Sequence, residues 1–71
     1  MFEKVQAFLA EKTEKSIDEI QPETELTDLG VDSMKLMMIV LEFETAFDVS
    51  ISDRMLETLH TVNDLVALVE H

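Results

Sequence analysis

The sequence predicts an all-α fold, a small bundle of three longer helices and one short helix, with a long ordered loop between the first two. Three observations predict it. Apolar residues recur at three- and four-residue spacing in three separate segments. A single Gly and a single Pro leave too few turn residues for a β architecture. The chain has 71 residues, no Cys and a hydrophobic fraction of 46%. It is therefore one domain, residues 1–71, near the lower size limit for a self-sufficient core and stabilised by helix packing alone.

Phe2, Val5, Phe8 and Leu9 form one apolar stripe, with Glu3, Lys4, Glu11 and Lys12 on other faces, which predicts a first amphipathic helix over 2–14. A connection over 15–31 follows. Ile17 and Ile20 are three apart there, Pro22 breaks any helix, and Leu26 and Leu29 can anchor the loop to the core; a flexible linker would be poorer in such apolar anchors. The second helix runs over 33–47, until Asp48 and Val49-Ser50-Ile51 end it. Ser52 or Asp53 starts a short helix over 53–58. Thr61 opens the last helix, with Asp64 three residues on as a partial capping box and Val62, Leu65, Val66, Leu68 and Val69 as its apolar face.

Charge narrows the function classes. A formal net charge of −11 opposes nucleic acids and anionic membranes, which need a positive surface. It favours partners with basic patches and makes stability depend on salt. Met1-Phe2-Glu3-Lys4 does not open a signal peptide, and no stretch is long enough to cross a bilayer, so a small independent cytoplasmic protein is expected.

The segment Leu29-Gly30-Val31-Asp32-Ser33-Met34 carries the chemistry. Gly30 permits a sharp turn, and Asp32 supplies the side-chain oxygen that an N-cap requires. Ser33 then stands in the first turn, where free backbone N–H groups and the helix dipole favour a phosphate. The histidines, His60 and His71, are not placed by sequence near Ser33, so a Ser-His-Asp hydrolase has no support. The oxygen ligands of 28–32 do not alternate as an EF-hand requires, and one Gly cannot build a phosphate-binding loop. No catalytic or metal-ligating residue is assigned.

Helix two has two faces. Leu36, Ile39, Val40, Phe43 and Phe47 cluster on the side assigned to the core, whereas Met37, Met38 and Leu41 fall mostly on the other. Either the bundle buries these methionines or they form an adaptable docking patch beside Ser33. The patch is the preferred reading, because an enzyme processing something attached at Ser33 must sit there.

Asp28-Leu29-Gly30-Val31-Asp32-Ser33-Met34 resembles the attachment motif of acyl carrier proteins, and the likeness continues through Phe47-Asp48, Ile51, Asp53 and Thr61-Val62. The resemblance implies a non-enzymatic, monomeric acyl-carrier-like bundle that holds acyl intermediates as thioesters on a 4′-phosphopantetheine arm at Ser33, with Asp32 capping the helix beside it. It implies a phosphopantetheinyl transferase as partner. It also implies acyl-loading and condensing enzymes, of polyketide or fatty-acid type, with basic or apolar docking surfaces. Their docking residues would be Met34, Met37, Met38, Leu41, Glu42, Glu44, Ile51, Asp53 and Glu57. Phe43, Ile51, Leu56 and Leu59 are candidate lining for an acyl pocket. Met38 stands where many fatty-acid carriers have an acidic residue, and Lys35 is positive near another such position. A peptidyl or aryl carrier is the alternative within this class, and an unmodified acidic helical adaptor the alternative outside it.

Overall fold

The computed structural model describes residues 1–70; His71, one of the two histidines weighed above, lies outside the described residues. Four α-helices appear in the expected order: α1 (Phe2–Thr13), α2 (Ser33–Phe47), α3 (Asp53–Leu56) and α4 (Val62–Val69). Two 3₁₀ turns, Ile17–Glu19 and Leu26–Leu29, lie in the connection between α1 and α2.

Local chemistry sets the boundaries. α1 ends one residue earlier than expected, because Glu14 turns left-handed at φ 59° and cannot continue the helix. α2 has the expected ends: Asp32 caps its start, and Asp48, left-handed at φ 53°, returns its N–H to the Glu44 carbonyl. α3 starts from a Ser52 cap but stops at Leu56 rather than at residue 58. There the Leu59 N–H bonds back to Leu56, and the Thr58 hydroxyl to the Met55 carbonyl, tightening the chain into a turn. At α4, Thr61 and Asp64 form a full capping box, since each side chain accepts from the other's backbone N–H.

Val5 and Leu9 from α1, Ile39, Val40 and Phe43 from α2, and Val62, Leu65 and Val66 from α4 build one core. α1 packs directly on α4. Phe43 is fully buried, stacked on Phe47 at 4.5 Å and edge-on to Phe8 at 5.6 Å. The loop contributes Ile20, Leu26, Leu29 and Val31 to the same core, whereas Ile17, three residues before Ile20, stays exposed.

Polar ties then fix the loop. Gln6 Nε2 donates to the carbonyls of Ile17 at 3.0 Å and Ile20 at 2.7 Å. The N–H of Leu26 donates to the His60 carbonyl at 2.8 Å, and the N–H groups of Val62 and Asn63 donate back to Thr24 and Pro22 at 2.9 Å. Glu25 and Thr61 thereby face each other in a single antiparallel bridge. Backbone groups that would otherwise be unpaired are satisfied, and the loop is held against the start of α4.

Candidate functional site

The approach to α2 is built from alternating anchors. Leu26 and Leu29 are buried within the second 3₁₀ turn, and Gly30 ends it at φ 79°, a left-handed conformation costly for residues with a Cβ. Val31 then buries its side chain, which leaves Asp32 and Ser33 facing outward. Asp32 Oδ1 accepts from the Lys35 N–H at 2.8 Å, and the Asp32 carbonyl accepts from Leu36 at 2.8 Å. The cap is therefore formed, and Ser33 is the first residue of the helix.

Ser33 is exposed, and its hydroxyl has no hydrogen-bond partner among the described residues. It lies at the positive end of a fifteen-residue helix, equivalent to roughly half a charge. A hydroxyl so placed suits an anionic phosphoryl substituent, whereas a nucleophile would need a hydrogen-bonded base.

Ser33 also borders a groove of about 330 Å³ whose walls include Leu36, Leu56, Leu59, Glu57 and His60. Sequence spacing had put no histidine beside Ser33. His60 arrives there because the Leu26–His60 backbone bond draws the α3–α4 turn against the loop. An apolar wall with a hydroxyl at its edge has the make-up of a ligand site, which combines apolar lining with a few polar groups.

The four apolar residues of the exposed face are open to solvent: Met34 78%, Met37 60%, Met38 64% and Leu41 65%. The bundle does not wrap them. A hollow of about 120 Å³ joins this face to α3 and is lined by Met37, Leu41, Glu44, Ile51, Asp53 and Leu56. Glu57 is exposed at the end of α3. Most of the expected docking residues therefore share one surface beside Ser33. Glu42 is paired with Lys12 of α1 at 3.2 Å, in a hollow that it shares with Met34 and Met38. Glu44 is half-buried and accepts from the Ile51 N–H.

The candidate acyl-pocket residues are divided. Leu56 and Leu59 line the groove beside Ser33, Ile51 and Leu56 line the smaller hollow, and Phe43 is enclosed in the aromatic cluster. Phe43 is packed too tightly by Phe8 and Phe47 to form a wall shared with the other three.

Behind the groove, Asp64 Oδ2 accepts the backbone N–H of His60 at 2.8 Å and of Thr61 at 2.9 Å. These two donors, His60 first, hold the Asp64 carboxyl below the ordinary aspartate range. Ser16 does the same for Glu19 in the first 3₁₀ turn, through its backbone N–H and then its hydroxyl. Among the described residues no group of acidic or histidine side chains is arranged to hold a metal ion.

Comparison with known proteins gives a consistent result. Residues 3–69 match the family model described as the phosphopantetheine attachment site. The acyl carrier protein of Streptococcus pyogenes is 43% identical over 70 residues, covering 99% of this chain and 92% of that protein. That of an Exiguobacterium species is 43% identical over 67 residues, covering 93% and 85%. A crystal structure of an acyl carrier protein from Thermotoga maritima superposes with a TM-score of 0.75 at 29% identity, covering 93% of this chain and 78% of that one.

Proposed function

The chain belongs to the acyl carrier proteins, and from that premise we propose that Ser33 bears its covalent 4′-phosphopantetheine arm. One observation carries this reading: Ser33 is an exposed, unpartnered hydroxyl at the capped start of α2, beside a groove and an apolar helix face. A phosphopantetheinyl transferase moves the phosphopantetheinyl group from coenzyme A to the hydroxyl: the new Oγ–P bond replaces the P–O bond of the pyrophosphate, 3′,5′-ADP leaves, and the hydroxyl proton is released. When attached, the arm supplies the thiol that holds an acyl group as a thioester, which this chain, having no Cys, does not possess itself.

The residues of the chain then position and present. Asp32 keeps the helix start closed, and the helix dipole contributes about 0.3–1 kcal/mol toward an anion there. Met34, Met37, Met38 and Leu41 offer an adaptable apolar surface to enzymes that load, condense or modify the acyl group in fatty-acid-type biosynthesis. Asp53 and Glu57 add acidity at its edge for basic partner surfaces. Bond making and breaking belong to those enzymes. The carrier's contribution is tethering, which raises the local concentration of the intermediate. A carrier that must visit several enzymes in turn is best served by a monomer free in the cytoplasm.

The test is incubation with a broad-specificity phosphopantetheinyl transferase and coenzyme A, read by intact mass. One phosphopantetheine per chain is expected for the wild type and none for Ser33→Ala. An unmodified wild type, or an adduct that persists in Ser33→Ala, overturns the proposal.

A further inference from the structure

The chain has no Cys, so its five methionines hold all of its sulfur. Three of them, Met34, Met37 and Met38, stand on the exposed face of α2, and two hollows divide them. Met34 and Met38 share a hollow of about 390 Å³ with Lys12, Asp32, Lys35 and Glu42. Two of these charges are committed: Glu42 pairs with Lys12 at 3.2 Å, and Asp32 Oδ1 accepts the Lys35 backbone N–H that closes the cap. The Lys35 ammonium has no ion-pair partner among the described residues, and Met38 follows it by three positions, on the same side of the helix. Met37 lines the smaller hollow toward α3, where its charged neighbours are the carboxylates of Glu44 and Asp53. Met37 and Met38 are nonetheless almost equally open, at 60% and 64%. Met55, on α3, is half-buried.

Oxidation of a thioether by hydrogen peroxide begins with attack of the sulfur lone pair on one peroxide oxygen. The S–O bond forms as the O–O bond breaks, and the second oxygen departs as hydroxide. That hydroxide takes the proton of the transferred oxygen and leaves as water. The sulfur has then lost the two electrons that the peroxide gained. Negative charge grows on the departing oxygen, so an ammonium donor beside the sulfur speeds the step and carboxylates slow it. We propose that Met34 and Met38 form a peroxide-sensitive modification site, that Lys35 directs peroxide to them in preference to Met37, and that their sulfoxides block enzyme docking. The blocking rests on this face being the docking surface. A sulfoxide oxygen must shed its water to enter an apolar contact, whereas the folded carrier, with both side chains exposed, tolerates it. Methionine sulfoxide reductases reverse the change, a dithiol becoming a disulfide as the oxygen leaves in water. Peroxide thus withdraws the carrier from its enzymes without unfolding it.

The experiment treats the full chain with hydrogen peroxide at neutral pH and destroys the excess with catalase. Peptide mass mapping over time gives a rate for each methionine, with Met55 as the internal reference. Met34 and Met38 are expected to oxidise several-fold faster than Met37. In Lys35→Gln the Met38 rate should fall to that of Met37 while the Met55 rate stays unchanged. Arm transfer by a phosphopantetheinyl transferase is then followed on the oxidised chain. Its KM is expected to rise about tenfold once both sites carry oxygen, the effect of one acceptor buried without a donor. Methionine sulfoxide reductases A and B should restore it. The urea midpoint should not move, which separates lost docking from lost folding. In the double variant Met34→Leu, Met38→Leu, peroxide should leave KM at whatever value it had before treatment. Equal rates at Met37 and Met38, a rate difference that survives in Lys35→Gln, or an oxidised chain that loads as readily as the reduced one overturns the inference. A reduced chain that takes no arm would instead refute attachment at Ser33, and the peptide map, which needs no arm, still decides where peroxide acts.

Discussion

The backbone N–H of Ile51 donates to Glu44 Oε2 at 2.8 Å, across seven residues of sequence. A carboxylate of α2 thereby also closes the connection to α3. Glu44→Ala removes an ionised acceptor from a half-buried N–H and should cost about 1.5 kcal/mol in urea unfolding. Glu44→Gln, which keeps an amide oxygen, should cost about half of that. A Glu44→Ala variant as stable as the wild type would show that the bond contributes nothing.

Gly30 is required by its backbone angle and not by crowding. Its φ is 79°, yet an added Cβ would meet nothing within 4 Å. Gly30→Ala should therefore destabilise by about 1–2 kcal/mol, the cost of the left-handed conformation. Gly30→Asn should cost clearly less, because Asn tolerates that region. Thermal unfolding of the pair distinguishes this account from a steric one, under which the larger Asn would be worse.

Asp64 gives a pH dependence whose sign follows from its two backbone donors. Its carboxyl lies below the ordinary aspartate range in the folded chain, so its contribution is fully present above that range. The contribution fades as pH falls through the depressed folded value. Asp64→Ala should cost about 1 kcal/mol at neutral pH. That penalty should shrink as the pH falls below about 4, where the carboxyl of the unfolded chain takes up a proton first, and vanish once the depressed folded value is passed. The difference between the two unfolding curves is the relevant measurement, since relief of the overall −11 charge is common to both proteins.

Met37 and Met38 are more than half exposed and stand near the start of α2. Replacing either with Ala should leave unfolding free energy within about 0.5 kcal/mol of wild type. The KM for arm transfer by a phosphopantetheinyl transferase should nevertheless rise several-fold in the double variant. An unchanged KM would remove these side chains from the docking surface for that enzyme.

Local signals carried much of the fold. Both ends of α2 follow from Asp32 and Asp48, and the start of α4 follows from Thr61 and Asp64, because capping chemistry acts within a few residues. The two faces of α2 follow from its periodicity, since Ile39, Val40 and Phe43 are buried while Met37, Met38 and Leu41 are not. The shorter α3 was not legible, because side chain and backbone bonds at Thr58 and Leu59 end it against an otherwise helix-compatible sequence. Gln6 reaching the Ile17 and Ile20 carbonyls left no periodic trace, nor did His60 arriving beside Ser33. Both depend on chain segments that meet only once the helices have packed.

The ties between the loop and the opening of α4 run from main chain to main chain: Leu26 to His60, Val62 to Thr24 and Asn63 to Pro22. Such links are blind to side-chain identity. Exposed positions such as Glu25 and Asn63 are therefore open to wide substitution, proline excepted at the donor positions Leu26, Val62 and Asn63. The surface chemistry of this corner is free to be retuned toward new enzymes while the scaffold beneath it stays put.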